Sequence, residues 1–406
     1  MNKTELLMPA GDLKRLKIVI NYGADAVYIG GEKYSLRYRA SNFTLDDIRE
    51  GVTYAHMNRR KVYVTVNMIF HDEDLKGVED YLVALDEIGV DAIIVASPYL
   101  LSLKEKLKLS YEFHVSTQLS VLNSEDINYY FQLKADRVIL ARELSIEEIK
   151  QLSERSILPL EVFIHGAMCS NYSGRCTLSN DMTNRDANRG GCAHSCRWKY
   201  HLYAGEELIS PNDQLFSFSS KDLNALEYIN DLLECGISSL KVEGRMKSAY
   251  YLAALTKTYR DYLDLYYLDK NEALKQLDYF EKELAKTENR QSSSGFFAGS
   301  PDETKHIYGE NGAGVTHEYV GDVLDYDDKR NLIKVATRNY IKLGDKLEIL
   351  SCKKETLNQR FNVEVIYDED YNLIEYANHP LMIIYLHIEC RLAKGDFLRK
   401  VMDNVS

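Results

Sequence analysis

The sequence predicts an α/β fold: a TIM-like (β/α)8 barrel with a Cys-rich insertion, followed by a small C-terminal all-β barrel domain. Three observations carry this. From residue 5 to about 245, short apolar runs alternate with longer amphipathic stretches, the pattern of parallel βαβ units with strands buried on both faces. Eight such runs can be counted and no GxGxxG follows the first, which favours a barrel over the alternative, a doubly wound sheet. From about Gly312 the pattern changes to short strands separated by turn residues, as in an all-β unit.

The elements follow in order. ELLMPA (5–10) reads as a strand, and Asp12 caps a helix that ends at Gly23. AVYIGG (26–31) is strand-like and residues 45–59 are helical. KVYVTVN (61–67), a helix through residue 88, and DAIIVASP (91–98) come next. YEFHVST (111–117), a helix near 124–132, DRVILA (136–141), a helix near 145–154 and PLEVFIHG (159–166) complete seven strands. After a polar insertion, SLKVEGR (239–245) supplies the eighth, and a long helix begins near Lys247. These patterns divide the chain into a catalytic barrel over 1–300, with a special segment at 165–200, and an accessory β domain over 310–406. In the latter, HEYVGDVLDY, LIKVATR, KLGDKLEIL, FNVEVIYDED and MIIYLHIECRL read as strands.

A barrel places function at the carboxyl ends of its strands. Those ends carry Asn67, Ser116–Thr117–Gln118, Arg142–Glu143, His165 and Glu243–Gly244–Arg245. No apolar run reaches the roughly 18 residues of a membrane helix. The N-terminus lacks a basic stretch followed by a longer apolar one, so it does not read as a signal peptide. The expected location is the cytoplasm, where thiols stay reduced. The net charge of −12 excludes a wholesale electrostatic sponge for nucleic acid, so any RNA binding must use a local patch. Most of the thirty tyrosines are expected to be half-buried packing residues.

The insertion holds Cys169, Cys176, Cys192 and Cys196, separated by six, fifteen and three residues. Four clustered thiols in a reduced compartment point to a soft metal. Zinc sites usually pair ligands two to four residues apart; Cys192 and Cys196 fit this, and Cys169 and Cys176 do not. Iron–sulfur clusters tolerate looser spacing, since four thiolates approach four irons. Four ligands saturate such a cluster, leaving it to carry electrons or hold structure. Cys235 reads as helix packing, with the alternative that it replaces Cys196 as fourth ligand. Arg175, Arg185, Arg189, Arg197 and Lys199 face only Asp181 and Asp186 in this segment. They either bind phosphate or carboxylate groups or balance a thiolate cluster.

HGAMCSNYSGRCTLS followed by NRGGCAHSCRWKY resembles the signature of the collagenase-like U-type peptidase family. LLMPAGD, DAVYIGG, SLRYRASNF, HVSTQLSVLN and LKVEGRMKS match in the same order. The resemblance covers about the first 300 residues, and members with a C-terminal β domain fit the rest. The chain has neither HExxH nor GxSxG, and a cysteine protease needs a free thiolate. The resemblance instead implies an oxygen-independent hydroxylase with a 4Fe–4S cluster, most like the members that convert the tRNA wobble uridine to 5-hydroxyuridine with prephenate as co-substrate. An electron donor or a partner subunit fits the same picture. It implies that Cys169, Cys176, Cys192 and Cys196 hold the cluster. Prephenate is a dicarboxylate, so Arg37, Arg39, Arg175 and Arg245 are candidate receptors, each with an internal salt bridge as the other reading. His165, Gln118 and Glu243 are candidates for hydrogen bonding or proton transfer. A peptidase and a zinc-stabilised RNA-binding protein are the competing readings.

Overall fold

The computed structural model describes residues 3–36, 42–211, 215–287, 290–308 and 316–402. Strands β1 (Glu5–Pro9), β2 (Ala26–Gly30), β3 (Lys61–Val66), β4 (Ala92–Val95), β5 (Glu112–Val115), β6 (Arg137–Ile139), β7 (Leu160–Gly166) and β8 (Ser239–Val242) are all parallel. They run in sequence order, and β8 pairs with both β1 and β7, which closes an eight-stranded barrel. Helices follow most of these strands, and their ends are set by local chemistry. Thr44 and Ser145 form capping boxes with Asp47 and Glu148, and Asn123 accepts from the Asp126 amide. Such caps satisfy amides that a first helical turn leaves open.

The barrel interior is charged, where branched apolar layers are usual. Strands β1, β3 and β6 are not neighbours, so their side chains meet only across the interior. Arg137 Nη1 donates to Glu5 Oε1 at 2.8 Å and to Glu161 Oε2 at 3.1 Å. Lys241 Nζ donates to Glu161 Oε1 at 2.8 Å, the Tyr63 hydroxyl to Glu5 Oε2 at 2.6 Å, and the Ser239 hydroxyl to Glu5 Oε1 at 2.9 Å. Lys241 also lies over the rings of Tyr28 and Phe163. Every charge of this floor therefore has an opposite charge, and each carboxylate oxygen has at least one donor, with two on Glu5 Oε1, the condition for burying ions without a large penalty.

The insertion between β7 and β8 adds one more strand to this sheet. Asp222–Asn224 runs antiparallel to β7, pairing Asn224 with His165, and Ser292–Ser293 pairs parallel beside it.

The chain divides into two compact units. The first comprises Met1–Ile20, Ala24–Lys247 and Arg290–Asn311, and the second Asn21–Gly23, Ser248–Asn289 and Gly312–Ser406. The helices Ala249–Leu268, Lys270–Lys275 and Leu277–Ala285 thus count with the second unit. Its sheet is antiparallel and curls into a half-barrel. With β9 (His317–Asp327), β10 (Leu332–Thr337), β11 (Lys346–Leu350), β12 (Arg360–Asn362), β13 (Ile366–Tyr367), β14 (Leu373–Ile374), β15 (Ile383–His387) and β16 (Phe397–Val401), the order is β12-β11-β16-β9-β10-β15-β13-β14. Val320, Ile333, Val335, Leu347, Ile384 and Leu398 lead its core. Beside that core, fully buried Arg399 donates from Nε to Glu348, whose carboxylate also takes Lys286 and Arg360.

Burial pushes the Glu161 carboxyl up, but Lys241 and Arg137, then His114, outweigh it and bring it down to about 2. A carboxylate lowered in the fold adds stability above its unfolded pKa of about 4.3, and that contribution is lost as pH falls toward 2. Glu161→Ala leaves Lys241 and Arg137 buried with lost partners, and should cost about 3–5 kcal/mol. Urea unfolding of the barrel unit at pH 7 checks this. A midpoint equal to that of wild type contradicts the reading of the floor as a paired, desolvated network.

Candidate active site at the barrel mouth

Two strand ends set the first part of the site. His165 is the penultimate residue of β7, and the Glu243 amide just beyond β8 donates to its carbonyl at 2.8 Å. The β7–β8 register shifts between Lys241 and Val242, beside this pair, an irregularity of the kind that re-aims side chains near sites. Gly166 then turns the chain out of the barrel at φ +108°. A Cβ there would stand 2.5 Å from the Glu243 carbonyl oxygen, so the exit requires glycine. Both His165 and Glu243 are buried. Desolvation, then the nearby Lys247 charge, lowers the His165 imidazole to about 3. His165 is therefore neutral near pH 7, a hydrogen-bonding group with no charge.

The cysteine segment is clamped onto the loops that follow β3, β5 and β6. After β5, Gly174 packs on Gln118 so closely that a Cβ would stand 2.0 Å from the Gln118 carbonyl oxygen. The Ser120 hydroxyl donates to the Ser173 carbonyl, and the Ser173 amide donates to Glu143 after β6 at 2.9 Å. After β3, the Ile69 amide donates to the Asn188 carbonyl at 3.0 Å. Arg189 reaches Asp74 at 2.7 Å and Glu73 at 3.0 Å. Inside the segment, Asn188 Nδ2 donates to the Cys176 carbonyl at 2.9 Å and Asn171 Nδ2 to the Cys176 sulfur at 3.2 Å.

This clamping gathers the four predicted thiols. Although Cys169 keeps exposed surface, the protein around its sulfur desolvates the thiol and raises its pKa. Arg142 and Arg197 pull it down, and Cys196 and Cys192 push it up. Desolvation likewise raises Cys196, with Arg197 opposing and Cys192 and Cys176 adding. Each thiol thus lies within the electrostatic reach of others. A tetrahedral zinc with Zn–S bonds of about 2.3 Å needs sulfurs about 3.8 Å apart. No three His, Cys, Asp or Glu among the described residues are grouped tightly enough to hold a single ion. An all-sulfur donor set is of the kind that binds soft metals, zinc or an iron–sulfur cluster. Cys235 caps the short helix Ile229–Glu234, and its charged neighbours are Lys150, Asp231, Glu234 and Glu154, not the four thiols.

The candidate arginines are spread over the mouth. Arg245 is buried and donates to Ser35 at 2.9 Å, Thr65 at 3.3 Å and Asn42 at 3.0 Å, tying it to the segment after β2 and to β3 itself. Arg175 Nε donates to Ser120 at 3.3 Å, beside Gln118. Arg37 and Arg39 lie outside the described residues. Arg142, which the sequence marks only as a strand-end residue, emerges as the cation with the strongest pull on the Cys169 thiol. Its guanidinium sits 3.9 Å from the Phe163 ring centroid and donates to the Ala167 carbonyl at 2.6 Å, two residues before Cys169. A cavity of about 560 Å³ opens between Glu32, Tyr34, Met68, Asp186 and Gly191, with the Arg189 ion pairs in its wall.

Comparison with known proteins agrees with this architecture. The profile of Peptidase family U32 matches residues 11–307, and that of the Peptidase family U32 C-terminal domain matches residues 315–399. The tRNA hydroxylation protein P1 of Bacillus subtilis is 42% identical over 98% of this chain and 95% of its own. The 23S rRNA 5-hydroxycytidine synthase of Escherichia coli is 37% identical over 65% of this chain and 40% of its own. A collagenase of Porphyromonas gingivalis is 30% identical over 86% of this chain and 87% of its own. With both profiles matched in order and identity of this level across nearly the whole length, the chain belongs to Peptidase family U32.

Proposed function

We propose that this protein is an RNA-modifying enzyme, and specifically a tRNA hydroxylase that converts the wobble uridine to 5-hydroxyuridine without oxygen, with prephenate as co-substrate. The observation that carries the reading is the gathering of four thiols at the mouth of the barrel. It is joined by the kinship to proteins named for tRNA hydroxylation and rRNA 5-hydroxycytidine synthesis. The donor set fits a 4Fe–4S cluster on chemical grounds: four soft sulfur ligands beside the cations Arg142 and Arg197. When bound, such a cluster supplies one-electron chemistry, fed by an electron donor or a partner subunit.

The remaining roles fall to the chain's own residues. Cys169, Cys176, Cys192 and Cys196 hold the cluster. The paired charges of the floor fill the barrel below His165, so a substrate approaches from the mouth. Neutral His165 offers a hydrogen bond to a base edge, Glu243 on the adjoining strand end is the proton-handling group, and Gln118, in the turn after β5, supplies a hydrogen-bonding amide at the same mouth. Arg245 and Arg175, with Arg37 and Arg39, are the receptors for the two carboxylates of prephenate.

Peptidase chemistry is the second reading, favoured by the collagenase relative. It needs an activated nucleophile. The thiols of Cys169 and Cys196 are raised, the reverse of what activates a nucleophilic cysteine.

Two experiments test the proposal. Protein purified without oxygen should carry about four irons and four sulfides per chain, and Cys192→Ala should lose most of both. Nucleoside mass spectrometry of total tRNA from a strain lacking the gene should show loss of 5-hydroxyuridine derivatives, restored by the wild-type chain and not by Cys192→Ala. Unchanged tRNA, with gelatin cleavage by metal-free protein, supports the peptidase instead. The neutral imidazole gives a third expectation. Nitrogen-15 NMR of labelled histidines should show His165 unprotonated from about pH 9 down to about pH 5, where a free histidine titrates near 6.5. A titration of His165 between about pH 6 and 7 contradicts the role assigned to it.

A further inference from the structure

We infer that the chain's single tryptophan, Trp198, with the aromatic rings beside it, forms a stacking platform for unpaired bases of a single-stranded RNA loop. This rests on the proposed RNA substrate and names the surface that would receive it. Trp198 immediately follows the short turn Ser195–Arg197 that carries Cys196, and its amide donates to the Ser195 carbonyl at 3.1 Å. Its indole is 45% exposed, a costly way to place a large ring unless something covers it.

The surroundings extend the ring surface. Tyr200 and Phe216 exchange amide–carbonyl hydrogen bonds at 2.8 Å each way, forming an antiparallel bridge. Trp198 and Phe218 each lie two residues from that bridge, one on either segment. Phe218, 44% exposed, packs edge-on to Phe216 at 4.8 Å between centroids and to Tyr200 at 6.1 Å. The Ser217 hydroxyl between them donates to the Cys196 carbonyl at 3.4 Å. The ring group is thus fixed to the backbone of a thiol-bearing residue.

Charge selects the partner. Residues 169–203 carry five cations against two carboxylates, in a chain of net charge −12. Arg185, Arg197 and Lys199 form no ion pair among the described residues, and Arg197 and Lys199 flank Trp198 directly. Exposed rings flanked by Arg197 and Lys199, neither of which has a carboxylate partner among the described residues, match the needs of single-stranded RNA, which offers base faces for stacking and phosphates for pairing. Duplex RNA presents phosphates without free base faces, so the platform should discriminate between the two.

Because the chain has one tryptophan, its fluorescence reports on this position alone. Iron-loaded protein held without oxygen would be titrated with an RNA hairpin bearing a seven-nucleotide unpaired loop, and with a blunt duplex of the same composition. The loop RNA should quench Trp198, and the duplex should leave it nearly unchanged. Trp198→Ala should weaken loop binding between about 5- and 100-fold, measured by anisotropy of labelled RNA, while Trp198→Phe retains most of the affinity. Lys199→Gln should lower the slope of log affinity against log salt by about one. Equal quenching by both RNAs, or no quenching by either, overturns the platform. So does a self-associated protein whose indole is shielded from solvent and insensitive to RNA, since the surface is then a protein interface. Enzyme that hydroxylates tRNA without Trp198 quenching refutes the platform alone. Quenching by loop RNA, in a protein whose loss leaves tRNA unchanged, keeps the platform and refutes the hydroxylase.

Discussion

The pairing of β8 with both β1 and β7 is the constraint on which the site depends. The chain leaves the barrel at Gly166 and returns at Ser239, and the two strands it joins are hydrogen-bonded to each other. The long insertion between them is therefore tied at both ends to adjacent rigid strands. That closure sets His165 against the Glu243 backbone and directs the cysteine segment over the loops after β3, β5 and β6. Anchors such as Ser173–Glu143, Arg189–Asp74 and Gly174 on Gln118 then fix where the thiols stand. Each is modest alone, and together they turn a polar segment with little regular structure into a defined cradle.

The charged barrel floor supports the same end. Glu5, Arg137, Glu161 and Lys241 are costly to bury, and they are tolerated because each meets opposite charge, Glu5 and Arg137 across the interior and Glu161 with its neighbours Arg137 and Lys241. An apolar filling would close the barrel as well, but it would present no potential to the mouth. Lys241 and Arg142 both stack on Phe163, so that one ring separates the floor's cation from the one beside Cys169. Positive charge near a thiolate-rich group favours its more reduced, more negative state, the direction that the proposed redox role would need.

Much of the fold was legible in the sequence because eight doubly buried strands leave a strong apolar signal. The run at 61–67 became Lys61–Val66 and that at 26–31 became Ala26–Gly30. Several short strands escaped, and two of the missed strands have a clear physical reason. Asp222–Asn224 is three residues long and lies inside a polar insertion, too short for any periodicity. Phe397–Val401 sits in the middle of the second sheet, yet its central residue is the fully buried Arg399. A paired buried arginine makes a core strand read as a surface one. The cysteine cluster stood out by type and spacing, and the folded insertion brings the four thiols within electrostatic reach of one another. Arg142 and Trp198 were not singled out, since their significance comes from proximity to Cys169 and Cys196 that only the folded insertion creates. The neutral state of His165 likewise follows from burial, which sequence does not display.

The proposed hydroxylase chemistry needs the four thiols at the barrel mouth to act as ligands of a polynuclear iron centre. Iron K-edge X-ray absorption on protein purified without oxygen tests this most directly. Sulfur scattering together with a second iron shell, both lost in Cys169→Ser, is the predicted result. A zinc-only sample with a single sulfur shell, or iron without an iron neighbour, would contradict it.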